Sequence, residues 1–202
     1  MKGGAIRLFI NSKGRRRSMT IDEVIGKAMV LLDEVTSSNL TANAADYINK
    51  IFPSIDTIQT EIATNVKPIE KYLTVESENK RIDQPADCFQ MLKVYNEDFS
   101  PIRFLHYNKK IFLIDEKEDG TFTLYYNKYP TKITNDTART TELEIDADCQ
   151  EALVYGVAAN LCINDEPELY DTYIDRYNIM LANITTRMQN NTTARIVGGI
   201  RI

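Results

Sequence analysis

The chain holds one histidine, His106, and three cysteines, Cys88, Cys149 and Cys162. His106 stands among Phe104, Leu105 and Tyr107 in a run that reads as a strand. That setting suits a structural or solvent-facing imidazole better than a general base. The cysteines are odd in number, widely spaced and without a CxxC pair. They read as buried thiols in a reducing compartment rather than a disulfide framework. No GxSxG, P-loop or HExxH pattern occurs. Gly3-Gly4 and Gly198-Gly199 lie at the ends with no helix after them, so they are not phosphate-binding loops. Asp115-Glu116-Lys117-Glu118-Asp119-Gly120 is acidic like a calcium loop, but it lacks alternating ligands and the distant bidentate Glu. It reads as a solvated hairpin tip. These patterns predict no catalytic residue, no metal site and no cofactor.

Other clusters are suited to binding. Lys13, Arg15, Arg16 and Arg17 gather in the N-terminal arm. They form either a solvated basic segment or a contact for phosphate or carboxylate. Glu142, Glu144, Asp146 and Asp148 alternate with Leu143, Ile145 and Ala147, an acidic edge leading into a helix whose N-terminus favours anions. Tyr170, Tyr173 and Tyr177 recur at helical spacing, as a packing stripe or as a subunit interface, where tyrosine is enriched. The last residues, Arg195-Ile196-Val197-Gly198-Gly199-Ile200-Arg201-Ile202, are apolar and carry two glycines. They have no evident place in the chain's own core and predict an outside partner. Ile6, Leu8 and Ile10 alternate as Ile200 and Ile202 do. Each end could add a strand to another subunit, or the two ends could pair within one chain.

The 202 residues, 43% hydrophobic and 26% charged, suffice for one domain with a real core. A net charge of −5 rules out a chain that coats nucleic acid with its whole surface. No apolar run is long enough to span a membrane. The N-terminus is too short and too interrupted for a signal peptide, so secretion by that route is not expected.

Helical periodicity begins at Thr20, where Thr20-Ile21-Asp22-Glu23 has the capping-box pattern. The stripe runs from Ile21 to Val35 and ends at Thr36-Ser37-Ser38-Asn39. A second helical pattern starts near Thr41 and passes through Pro53, which should kink or split it. The period then changes. Runs at 72–75, 89–95, 102–105, 110–114 and 121–126 read as strands, with turns at Asn96-Glu97-Asp98, Asn108-Lys109 and Asp119-Gly120. Asp146 or Asp148 starts a third helix, on which Ala152, Gly156 and Ala159 make a small-residue face for close helix approach. Asp165 as N-cap and Pro167 in the first turn start a fourth, expected to end near Gln189-Asn190-Asn191. The expected fold is α+β, mainly α: an antiparallel helix bundle with a small antiparallel β-sheet inserted between the two helical halves. Residues 1–19 form a basic arm, 20–68 the first helical half and 69–134 the β insertion. Residues 135–189 complete the bundle, and 190–202 form a C-terminal docking tail.

This layout resembles the head-to-tail connector, or adaptor, proteins of tailed phages. The likeness rests on three places. One is the opening helix pair with Tyr47-Ile48-Asn49-Lys50-Ile51. Another is the insertion closing on Tyr125-Tyr126-Asn127-Lys128-Tyr129-Pro130. The third is Asp148 to Leu161, an Ala-rich helix, followed by an acidic turn and Tyr173-Ile174-Asp175-Arg176-Tyr177. It covers most of residues 20–189 and involves no catalytic motif.

The resemblance implies a non-enzymatic virion protein in the neck, made in the host cytoplasm. It would assemble with itself in a ring, usually twelve-fold, under the portal protein and above the next neck or tail protein. Genomic DNA would pass through the lumen without sequence-specific binding, and an acidic ring would repel its backbone. Residues 195–202 would dock on the portal or a neighbouring subunit, Arg15, Arg16 and Arg17 are candidate arm contacts, and no membrane is involved. Two other readings stay open: another neck protein, such as a tail-completion or stopper protein, or a DNA-binding protein acting through the basic arm. A hydrolytic or metal-dependent enzyme would need convergent polar groups that the sequence does not offer.

Overall fold

The computed structural model describes residues 17–33, 44–114 and 119–197, with the backbone alone for 44–46 and 191–197. Helix α1 spans Ile21–Leu31 and α2 Ala44–Asn65. The strands follow as β1 (Ile69–Glu76), β2 (Arg81–Asp83), β3 (Cys88–Tyr95), β4 (Pro101–Ile102), β5 (Phe104–Tyr107), β6 (Lys110–Leu113) and β7 (Thr121–Lys128). Helices α3 (Ala147–Cys162) and α4 (Pro167–Val197) complete the described residues.

The capping box expected at Thr20 is present: Glu23 N donates to Thr20 Oγ1 at 3.2 Å and Thr20 N to Glu23 Oε2 at 2.8 Å. Pro53 neither ends nor splits α2. It lies on the exposed side, where the carbonyl it leaves without a donor can meet water. The expected stop near Asn190-Asn191 is corrected, because α4 continues to Val197. Asn and Thr lower helix propensity by less than about 0.7 kcal/mol each, too little to end a running helix, and the next strong breaker is Gly198-Gly199. The ends expected at Thr36–Asn39 and Thr41, and the alternating residues Ile6, Leu8 and Ile10, lie outside the described residues.

The expected bundle with one inserted sheet is overturned. Among the described residues the strands form two antiparallel sheets, ordered β1-β7-β3-β4 and β2-β6-β5. The run read as one strand at 102–105 is broken at Arg103. Ile102 pairs with Val94, Phe104 pairs with Leu113, and the Arg103 carbonyl accepts from Ile114 N at 3.0 Å. One core lies between the sheets, with Ile82, Ile111 and Leu113 from the smaller and Val94, Phe122, Leu124 and Tyr126 from the larger.

The helices are separated and make no bundle. They surround α3, which packs chiefly on α4 and α2 and less on α1, while α1 scarcely meets α2. The cause is compositional. Eleven of the 16 residues of α3 are buried, and a helix that buries most of its surface takes the centre rather than offering one stripe. Ile21, Ile51, Ile55, Ile62, Leu153 and Leu161 anchor this second core.

Asp119-Gly120 does not join a hairpin. Strands β6 and β7, on either side of it, belong to different sheets. The Asp119 carboxylate instead closes the turn after β1, accepting from Lys80 N at 2.6 Å, Asn79 N at 2.9 Å and Ser77 Oγ at 3.0 Å. Those backbone bonds hold its carboxyl below the ordinary range.

Asn108 and Lys109 link β5 to β6 with φ of 49° and 58°, the pattern of a type I′ turn, in which glycine is favoured at the second position. Lys109→Gly is therefore expected to stabilise the chain by roughly 1 kcal/mol and raise Tm by about 2–4 °C in a calorimetric scan.

Candidate functional site

His106 is exposed on β5, and its Nε2 lies 2.8 Å from Gln84 Oε1. Cys88, Cys149 and Cys162 are free, buried and dispersed over β3 and α3. Burial raises all three thiols, Cys149 to about 11, so they stay neutral at physiological pH. Among the described residues no group of three or more His, Cys, Asp or Glu is placed to hold a metal ion; Asp115 to Glu118 lie outside that set.

One polar constellation brings together Lys71, Asp87 and Tyr126. Lys71 Nζ is 2.8 Å from Asp87 Oδ2, and Tyr126 donates to Asp87 Oδ1 at 2.9 Å. Desolvation raises the carboxyl of Asp87, but its bonds with Lys71 and Tyr126 outweigh that and leave it low. Lys71 is raised by the same carboxylate. The group fastens β1 and β7 to the lead-in of β3. All of its polar ends face one another, so it is built for cohesion rather than for holding a substrate.

The alternating acids border a groove of about 1130 Å³ between the sheet end and the helical core. They are not equivalent. Asp146 caps α3, accepting from Asp148 N at 3.0 Å, and pairs with Lys67 at 2.8 Å. Lys67 also lies 3.9 Å from Asp148. Glu144 accepts from Lys128 Nζ and Thr131 N, both at 2.8 Å, and from Thr131 Oγ1 at 3.0 Å. Glu142 forms a bridge with Thr20 through its backbone.

The incoming chain borders the same groove. Ser18 Oγ donates to the Leu143 carbonyl at 2.7 Å, and the buried Gln150 accepts from Met19 N at 2.6 Å and donates to Ser18 Oγ at 2.6 Å. Arg17 pairs with Glu23 at 3.4 Å, on the surface. The other proposed arm contacts, Arg15 and Arg16, lie outside the described residues.

Tyr173 and Tyr177 are 8% and 2% exposed, and Tyr170 packs on the core's edge. Tyr173 donates its hydroxyl to the Leu31 carbonyl, and the ring of Tyr177 lies over Gly156. The chain's own core takes up both side chains, so the packing stripe describes them and they have little surface to offer a neighbouring subunit. Of the C-terminal segment, Arg195, Ile196 and Val197 have their backbone in α4, while Gly198 to Ile202 lie outside the described residues.

Sequence reasoning missed an aromatic band on the outer face of the larger sheet. Tyr72 stacks on its cross-strand partner Tyr125 with centroids 4.5 Å apart. Tyr95 follows one strand over and meets Phe99, which is exposed with φ of 57°. The signal was the alternation in β1 and β7, whose second face carries tyrosines where a solvated face would carry only polar residues. No protein-family model matches the chain, and no curated protein matches it either.

Proposed function

We propose that the chain is a structural ring subunit of a tailed-phage neck, a head-to-tail connector that joins portal to tail and extends the DNA channel. The observation that carries the reading is α4. It has 31 residues against 16 in α3. Met188 lies beside the first residues of α3 at the acidic groove. Nine further residues, about 13 Å of helix, lead on to Val197 and the apolar tail. A helix that runs on beyond the start of α3 toward an apolar end serves attachment better than catalysis.

The other features agree with that role. Glu144, Asp146, the Lys71–Asp87–Tyr126 group and Asp119 spend their polar side-chain atoms on internal bonds. Residues 195–202 are the docking segment for the portal or a neighbouring copy. Arg15, Arg16 and Arg17 reach portal, capsid or DNA. The acidic body faces passing DNA without gripping it, since backbone affinity requires cations on phosphates.

Negative-stain imaging of the purified protein, alone and mixed with its portal, tests the proposal. Rings with a central channel, or density added beneath the portal, are expected. Monomers that leave the portal undecorated would sink it.

A further inference from the structure

Between α1 and α3 lies an apolar groove of about 300 Å³, lined by Gly26, Val30, Leu31, Val154 and Tyr155 and by the Lys27–Glu151 ion pair. Val30 is 63% exposed in it. Gly26 is the telling residue. It sits in the middle of α1, and a Cβ there would meet nothing within 4 Å among the described residues. Among those residues neither crowding nor backbone conformation requires glycine there, although glycine in a helix interior is destabilising relative to alanine. A bare backbone beside exposed apolar side chains suits the close approach of another chain.

We propose that this groove receives the C-terminal tail, residues 196–202, of a second copy of the chain. The tail brings Ile196, Val197, Ile200 and Ile202, and its Gly198-Gly199 pair matches a site where backbones come close. The chain's own tail falls short. Tyr173 donates to the carbonyl of Leu31 and lies 6.3 Å from Tyr155, so it marks the groove's position along α4. From Tyr173 to Val197 the helix runs about 36 Å. The five residues beyond Val197 reach back at most about 18 Å. A neighbour's tail has no such limit. A tail-to-groove contact joins two different surfaces, and repeated from copy to copy it closes into a ring or extends as a filament. The inference deepens the ring reading and rests on the chain associating with itself.

Disulfide trapping with the full chain tests it. The three native thiols are buried. Val30→Cys and Ile200→Cys chains, mixed and oxidised, are expected to give a covalent dimer containing one of each; Ile202→Cys provides a second trap. Adding Gly26→Leu to the Val30→Cys chain should abolish the cross-link with helical circular dichroism unchanged, and Gly26→Ala should leave it intact. A double-cysteine chain that closes within the monomer overturns the proposal. So do assemblies that form by light scattering yet never cross-link; that result leaves the ring reading standing. A chain that stays monomeric at every concentration removes both.

Discussion

Leucine in place of Gly156 is expected to destabilise the chain by about 3 kcal/mol or more and to lower Tm by roughly 6–12 °C. A Cβ at this position would lie 3.0 Å from Ile58 Cγ2, 3.1 Å from Tyr177 Cε2 and 3.2 Å from Ile58 Cδ1. The glycine is thus where α2 and α4 both close on α3. Alanine asks Ile58 and Tyr177 to give by a few tenths of an ångström and gains about 1 kcal/mol of helix propensity in return, so it should come out near neutral. Leucine needs room that a fully buried site does not have. Urea unfolding followed by circular dichroism compares the three proteins. A leucine variant with the wild-type midpoint would mean that the three helices do not meet here.

Gly156 also shows how far the sequence could be read. Its small-residue face with Ala152 and Ala159 was legible, as were the capping box at Thr20 and an acidic cap at Asp146 or Asp148, because each rests on spacing within one element. The central place of α3 needed one more step. An apolar stripe and a small-residue face on one helix leave it only a narrow solvated edge, at Asp148 and Glu151, which favours a central position over one side of a bundle.

The second sheet was not legible. Residues 102–105 alternate like a single strand, and only the hydrogen bond from Ile114 to the Arg103 carbonyl divides them. Strand β2 is three residues long with one buried side chain, too little for a pattern. Asp119-Gly120 has the composition of a hairpin turn, but its carboxylate is used by a turn forty residues earlier in the chain. Gln59 and Gln150 are buried at 1% exposure and hold extended segments in place, and nothing in their local sequence distinguishes them from surface glutamines. In each case the missing information is a long-range pairing. The same limit applies to the α1–α3 groove, whose residues are ordinary helix positions until two helices bring them together.

Glu144→Ala is expected to cost about 2 kcal/mol, against no more than about 0.5 kcal/mol for its exposed neighbour Glu142→Ala. Glu144 ties three parts of the molecule together. Its carboxylate takes Lys128 at the end of β7 and Thr131 in the connection beyond, and its own N–H donates to Gln59 Oε1 on α2 at 3.2 Å. Lys128 is only 17% exposed, so losing its carboxylate leaves a largely desolvated ammonium. Glu144 itself is 33% exposed, and solvent screening keeps the figure below that of a fully buried pair. Burial alone would raise its carboxyl, but the bonds from Lys128 and Thr131 prevail and hold it below the ordinary glutamate range. A lowered folded-state pKa gives stability that is fully present above the unfolded value, about 4.3, and is lost as pH falls through the folded one. The gap between wild type and Glu144→Gln should therefore be full at neutral pH and close as the carboxylate protonates in acid. Denaturant midpoints across that range measure it, and a gap that persists in strong acid would refute the assignment. Hydrogen exchange should localise the loosening to residues 129–146, the segment that sets the sheets against the helices.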